Sequence, residues 1–288
     1  MAAGLTLYSD ISARVNDLIE DSLAVARMTN VLLPTITSLT ASGMELRKVN
    51  EYNALTFATA GEEDDTGAQQ FSKDPLTTLT PAIYRARVDI TDPRARSDFD
   101  REMANASLEL GAAAAMHIDS RIATQFASLT GGTIGSAGTT ITWRHITKSY
   151  ALLVAQGIPR GLGVYCALHP YVWEVLLSLT TIAGATVSVA PAFQDRVTDS
   201  PNFFQIPRFQ GITFVITDAI TVDSDGDTKG ALYVPQAIAV DTRKAFDIRP
   251  QRDESKELTE LNASMWYVAG VWRPKFGITI LSDAATPS

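Results

Sequence analysis

The chain has 288 residues, of which 45% are apolar and 19% charged, a composition that belongs to globular proteins and excludes the disordered class. Its net charge of −8 argues against recognition of DNA by a basic face. A single cysteine, Cys166, excludes an intrachain disulfide, and no uncharged apolar stretch reaches the ~18 residues of a membrane helix. The first residues lack the basic start and apolar core of a secretory signal, so a protein made and kept in a cytoplasm is expected.

In chain order, Ser9 or Asp10 is placed to cap an amphipathic helix with Ile11, Val15, Leu18, Ile19 and Leu23 on one stripe. It fades by Asn30, and Pro34 then dictates an extended path. Residues 44–59 alternate loosely, as a half-exposed strand does, and the acidic run Glu62, Glu63, Asp64, Asp65 forms a turn whose charges repel one another. A second extended run, Leu76 to Ile90, completes what reads as one long two-stranded hairpin. An isolated hairpin is at best marginally stable in water, so this one is expected to lie on something else, such as another subunit.

Asp92-Pro93 leads to Ser97, the expected N-cap of a long Ala-rich helix from Asp98 to Leu129. Asp98, Asp100 and Glu102 complement the positive end of its dipole, and its stripe includes Phe99, Met103, Leu110, Ile122 and Phe126. At ~1.5 Å per residue it spans roughly 45–50 Å. The glycine-rich run Gly131 to Gly138 ends it and is expected to be a flexible linker.

Beyond this point the elements shorten. Trp143, Ile146, Tyr150 and Leu153 mark a helix, Val164 to Leu168 a buried strand, and His169-Pro170 opens a short helix. Residues 180–210, with Pro191, Pro201 and Pro207, read as loop. Strands at Ile212 to Ile220 and Ala231 to Val234 flank an Asp/Gly turn, and the tail alternates strands Ala237–Asp241, Ala245–Arg249, Ser264–Val271 and Phe276–Leu281.

No motif converges on a catalytic pocket, so no enzyme activity and no cofactor are expected. Asp223, Asp225 and Asp227 resemble half a calcium loop, but Thr228 and Val234 stand where its Gly and Glu belong, which favours a turn. The glycine run follows a helix, whereas a phosphate cradle needs strand, loop, then helix. His117, His145 and His169 are scattered and read as structural, and no Gly-x-Ser-x-Gly elbow is present. Arg243, Lys244, Arg249, Arg252, Asp253, Glu254, Lys256 and Glu257 form a mixed-charge stretch around Pro250, which is either a solvated turn or a contact between subunits.

This order of arm, extended loop, long helix, α/β plate and returning strands resembles the Hong Kong 97-type major capsid protein of tailed bacteriophages over nearly the whole chain. The helix from Trp143, the break at Pro159, strand 164–168 and the His169-Pro170-Tyr171 helix start resemble the opening of that family's axial domain. The resemblance implies an α+β fold with an N-terminal arm at 1–40 and an extended loop at 41–91. It further implies a peripheral domain at 92–139 and 236–263 with its spine helix, and an axial domain at 140–235 and 264–283.

It implies a protein with no substrate, which self-assembles into pentamers and hexamers that close into an icosahedral shell around double-stranded DNA. An acidic wall would suit such contents, since a repelled polymer does not stick. Glu62, Glu63, Asp64, Asp65 and Lys73 would lie near a neighbour's charges, and Arg249, Arg252, Asp253 and Glu254 would meet at threefold points. Lys73 and Asn262 are a conceivable crosslinking pair, although a single loop lysine is common. The implied partners are a portal, a separate scaffolding protein and a decoration protein, with no membrane; the location is the virion, assembled in a host cytoplasm. An encapsulin-type nanocompartment shares the fold and is the nearest alternative; a surface adhesin and a hydrolase on residues 140–281 stand further off.

Overall fold

The longest element is helix α1, Asp92–Ala123, continued by a 3-10 turn at Thr124–Ser128. It starts at Asp92 and not at Asp98, and Thr91, not Ser97, precedes it in extended conformation. Pro93 explains the earlier start, because proline fits the first helical turn, where its missing N–H has no partner to lose. This computed structural model describes residues 30–43, 45–52, 55, 57, 59, 68–70, 72–158, 161–178, 208–209 and 211–284. The expected helix at 11–23, the acidic run at 62–65 and most of the 180–210 loop lie outside the described residues.

Three sheets are described. The four-stranded sheet runs β1 (Thr37–Thr40), β10 (Ile238–Asp253), β11 (Leu258–Val271), β4 (Ala82–Thr91). The six-stranded sheet runs β5 (Thr133–Gly135), β12 (Gly277–Asp283), β9 (Asp227–Tyr233), β6 (Val164–Leu168), β8 (Ile212–Ile216), β7 (Arg208–Phe209). The two-stranded sheet pairs β2 (Arg47–Tyr52) with β3 (Lys73–Leu79). Helices α2 (Trp143–Ala155) and α3 (Pro170–Ser178) contribute Trp143, Ile146, Leu153, Val172, Trp173 and Leu176 to the core of the six-stranded sheet.

Four expectations are corrected by this topology. The extended run Leu76 to Ile90 is not one hairpin arm: it divides at Thr80-Pro81, so that β3 pairs with β2 while β4 pairs with β11 in another sheet. Proline fixes φ and brings no N–H to a ladder, which suits a point where the chain changes sheets. The two tail strands 237–241 and 245–249 are one long bulged strand, β10, with register shifts between Thr242 and Lys244 and between Lys244 and Asp247. Pro250 is within β10, beyond the reach of β1, and the turn proper is Glu254–Glu257. All of β11 joins the four-stranded sheet, and β12 alone of the tail strands joins the six-stranded sheet.

The glycine run is the fourth. It is an ordered edge strand, β5, parallel to β12, and not a flexible linker. Gly131 donates its N–H to the Gly277 carbonyl at 3.1 Å, and a Cβ there would stand 2.5 Å from that same oxygen. Gly131 and Gly135 are there because two backbones approach more closely than any side chain allows.

The long helix is buried along two successive stretches. Met103 and Leu110 pack with Ile90, Ile248, Leu261 and Ala263 of the four-stranded sheet. Further along, Ala114, Ile122, Ala123 and Phe126 join Leu32, Val215, Tyr233, Ile238, Met265 and Tyr267 in a core that touches strands of both large sheets. The helix is therefore the strut that joins two layers, each with an apolar face that must be covered.

Candidate assembly surfaces

The predicted contact residues fall into separate places. Lys73 is exposed at the outer end of β3, opposite Tyr52. Arg252, Asp253 and Glu254 come together at the tip of the β10–β11 hairpin, and Arg249 lies three residues back on the same strand. Arg252 Nε lies 3.4 Å from Glu254 Oε1, and Arg249 Nε donates to Asp247 Oδ2 at 2.9 Å. Asp253 Oδ1 accepts the Ser255 hydroxyl at 2.6 Å and the Ser255 and Lys256 N–H groups, and the hydroxyl bond foremost holds its carboxyl below the usual range. That Asp organises the turn, while Arg249 and Glu254 project into solvent at 77% and 84% exposure.

Sequence reasoning missed the surface beside this tip. In the ladders of β4, β11 and β10, Arg87, Asn262 and Arg249 face one another, as do Arg85, Ser264 and Asp247, and Ile83, Trp266 and Lys244. Directly opposed residues share a face, and α1 covers the other one. The open face holds a shallow cleft of about 730 Å³ lined by Arg85, Arg87, Lys244, Arg249, Glu260 and Trp266 among others. Arg87 bridges Asp89 at 2.9 Å and Glu260 at 3.3 Å, Lys244 reaches Asp247 at 3.0 Å, and the Lys244 ammonium stands 5.9 Å from the Trp266 ring centroid. The strict alternation of β11 around Asn262 is the signal that points to it.

The other chemical candidates are structural. His117 Nδ1 and the Tyr267 hydroxyl lie 2.7 Å apart beside Tyr84, and burial, helped by Arg121, pushes the imidazole pKa down. His145 Nδ1 accepts the Thr142 N–H in a reciprocal cap of α2, and His169 Nδ1 accepts the Tyr171 N–H at the start of α3. Asp223 Oδ1 accepts the N–H groups of Asp225 and Asp227, and Asp227 Oδ1 accepts that of Gly138, so these carboxylates close turns. Cys166 is fully buried, and burial drives its thiol pKa far up, which leaves it inert. Among the described residues, no group of three or more His, Cys, Asp or Glu is arranged to hold a metal, and no helix is long and apolar enough to cross a membrane.

Asp119 of α1 anchors the chain at Val31 and Leu32. Its Oδ2 accepts the Val31 N–H at 2.7 Å and the Leu32 N–H at 3.3 Å, and its Oδ1 is buried with no hydrogen-bond partner among the described residues. Burial raises its pKa above the ordinary 3.8, against the pull of those N–H groups. A carboxyl with a raised folded pKa binds protons more tightly folded than unfolded. Its contribution to stability is therefore complete below the unfolded pKa and is lost as pH rises through the folded one. Asp119→Asn is expected to flatten that segment of the melting-temperature profile above about pH 4; an unchanged profile in calorimetry would show that Asp119 is not its source.

Comparison with known proteins places this arrangement. A family described as phage capsid protein matches residues 76–280, while none of the curated proteins matches the sequence. The capsid of bacteriophage PhiM1 superposes with a TM-score of 0.64 at 14% identity, covering 88% of this chain and 86% of that one. The capsid of cyanophage P-SCSP1u gives 0.62 at 15% identity, covering 87% of each chain. The SrpI encapsulin of Synechococcus elongatus gives 0.60 at 12% identity, covering 89% of each. Those likenesses establish the Hong Kong 97-type capsid fold, which these phage shells and the encapsulin share. With residues 76–280 accounted for, the chain belongs to the phage capsid protein family and is a structural subunit of a phage shell.

Proposed function

We propose that copies of this chain join into pentamers and hexamers that close into an icosahedral shell around packaged double-stranded DNA. The observation that carries the reading is the family match over residues 76–280, on a subunit whose four-stranded sheet keeps one charged face uncovered by α1. Two features support self-association: a two-stranded hairpin with little core of its own, and a second hairpin tip carrying both signs of charge. In this reading the β2–β3 hairpin lies over a neighbouring subunit, bringing Glu62, Glu63, Asp64, Asp65 and Lys73 near its charges. The β10–β11 tips meet at threefold points through Arg249, Arg252, Asp253 and Glu254. A portal, a separate scaffolding protein and a decoration protein complete the particle, which assembles in the host cytoplasm. The net charge of −8 keeps the wall from binding its contents tightly.

Electron microscopy of the purified chain tests this directly. Angular shells or five- and six-membered rings are the expected result, with a clean monomer at micromolar concentration, unaltered by crowding or a candidate scaffold, as the result against it. Small closed particles filled with an enzyme and free of DNA would instead favour a nanocompartment, the second reading that the encapsulin likeness keeps in view. The double variant Arg249→Glu, Arg252→Glu is expected to lower shell yield roughly tenfold at low salt without changing the melting temperature, because exposed charges govern encounter and register more than folding. Equal yield would remove these two residues from the contact.

A further inference from the structure

The turn between β1 and β2 is gripped by a side chain from far along the sequence. Arg243 sits at the bulge of β10, between Thr242 and Lys244, where the ladder to β11 shifts register. Its Nη1 donates to the carbonyls of Ser42 at 3.2 Å and Gly43 at 3.3 Å, and its Nη2 to the carbonyl of Glu45 at 3.0 Å and to Asp241 Oδ2 at 2.8 Å. Arg47, the first residue of β2, closes on the same carboxylate, with Nε 2.7 Å from Oδ2 and Nη2 3.3 Å from Oδ1. The same Nη2 lies 3.4 Å from the Thr40 carbonyl at the end of β1.

The side chains of Asp241 and Arg243 are 0% and 4% exposed, so this is an ion cluster enclosed at a branch point of the chain. Enclosing charge is costly unless geometry and hydrogen bonds are good. Here one carboxylate orients two guanidiniums, which together hold carbonyls at Thr40, Ser42, Gly43 and Glu45. Arg243 Nε is buried with no partner among the described residues, so the guanidinium plane is placed for its carbonyls even at the expense of its own third donor. Gly43, at φ +79°, provides the reversal that turns those carbonyls toward it.

The hairpin needs such a fixture. Among the described residues its other ties include Leu79 buried against Gly270, Val49 buried near its base, the exposed pair Lys275–Glu51 at 3.3 Å, and a cleft shared by Leu76 with Trp272 and Phe276. A two-stranded ribbon joined at residues 41–46 and at Thr80-Pro81 would otherwise swing about its root.

We infer that Asp241, Arg243 and Arg47 form a clasp that sets the direction in which the β2–β3 hairpin leaves the subunit, and that a second copy of this chain can be engaged only in that direction. The second clause rests on the shell-subunit reading; the first does not. These are positioning residues. Arginine is required because a planar fork can serve several carbonyls and a carboxylate at once, whereas a lysine ammonium is a single point.

The test compares the wild type with Arg243→Met, Arg243→Lys and Arg47→Met by thermal melting, hydrogen–deuterium exchange and electron microscopy. Arg243→Met is expected to fold, to keep the protection of β6, β9 and β12, and to exchange its amides over 47–52 and 73–79 roughly tenfold faster. Its shell yield falls several-fold, Arg243→Lys restores it only in part, and Arg47→Met gives a smaller loss of the same kind. Wild-type hairpin protection and wild-type shells from Arg243→Met overturn the clasp. Should that variant not fold, Arg47→Met decides, since it removes the outer half only: unchanged exchange and yield again overturn it. If the wild type forms no shell even with crowding or a candidate scaffold, the self-assembly reading fails, and the exchange result still rules on the clasp by itself.

Discussion

Gly135→Ala is expected to destabilise the subunit by about 3–4 kcal/mol, the sum of a strained backbone and a forced overlap. Gly135 has φ +88°, and an added Cβ would run into the Leu281 carbonyl oxygen across the parallel β5–β12 pair. That oxygen belongs to a backbone whose register is fixed on its other side by β9, from Gly277 opposite Tyr233 to Asp283 opposite Asp227, so it has nowhere to move. Gly138→Ala is the control. It also has a left-handed φ, +68°, but meets nothing within 4 Å, so it should cost about 1 kcal/mol. Chemical denaturation of the two variants separates the contributions. Equal losses would mean that the backbone approach at Gly135 relaxes freely and that β5 is not pinned to the sheet.

Phe126→Ala is expected to cost about 4 kcal/mol, in the range for emptying a fully buried aromatic site. At 2–4 °C per kcal/mol for chains of this order, the melting temperature falls by roughly 10 °C. Phe126 is 0% exposed, lies 5.5 Å from the Tyr233 ring centroid, and its carbonyl accepts the Thr279 hydroxyl at 2.7 Å. It is thus held by β9 and β12 of one sheet while sharing a core with Ile238 and Met265 of the other. Its site is shared by strands of both large sheets, and the surrounding strands are too well paired to collapse into the vacancy. Phe126→Leu, which keeps most of the volume, should cost less than about 1.5 kcal/mol. A loss from Phe126→Ala no larger than that would show that the joint between the sheets repacks.

Both effects concern positions whose meaning was only half visible in the sequence. Phe126 stands on the apolar stripe of the long helix, so its burial follows from periodicity, but nothing local says that it meets two sheets. Gly135 belongs to a run that reads locally as a flexible joint. Its partner Leu281 lies at the far end of the chain, and only that partner turns flexibility into close approach. The clasp shows the same division. Arg243 belongs to a mixed-charge stretch legible in the letters, yet Asp241 sits in an ordinary β-branched neighbourhood with no local sign that it becomes fully buried. The open sheet face around Asn262 follows a two-residue alternation, but which side α1 covers is a packing outcome.

What the amino-acid sequence by itself determined was the long helix, the two short helices of the plate, the buried strand around Cys166, the turn at Asp223, and the resemblance that this order carries. Each depends on spacing between near neighbours: a 3.6-residue stripe, a two-residue alternation, a proline or glycine at a break. The tertiary structure alone decided that β4 leaves its apparent hairpin partner for β11, that β10 is one bulged strand, and that residues 131–138 are an ordered edge. Those outcomes depend on which distant backbone supplies the hydrogen bonds, and strand pairing is chosen by the burial of whole faces over separations that no local window contains.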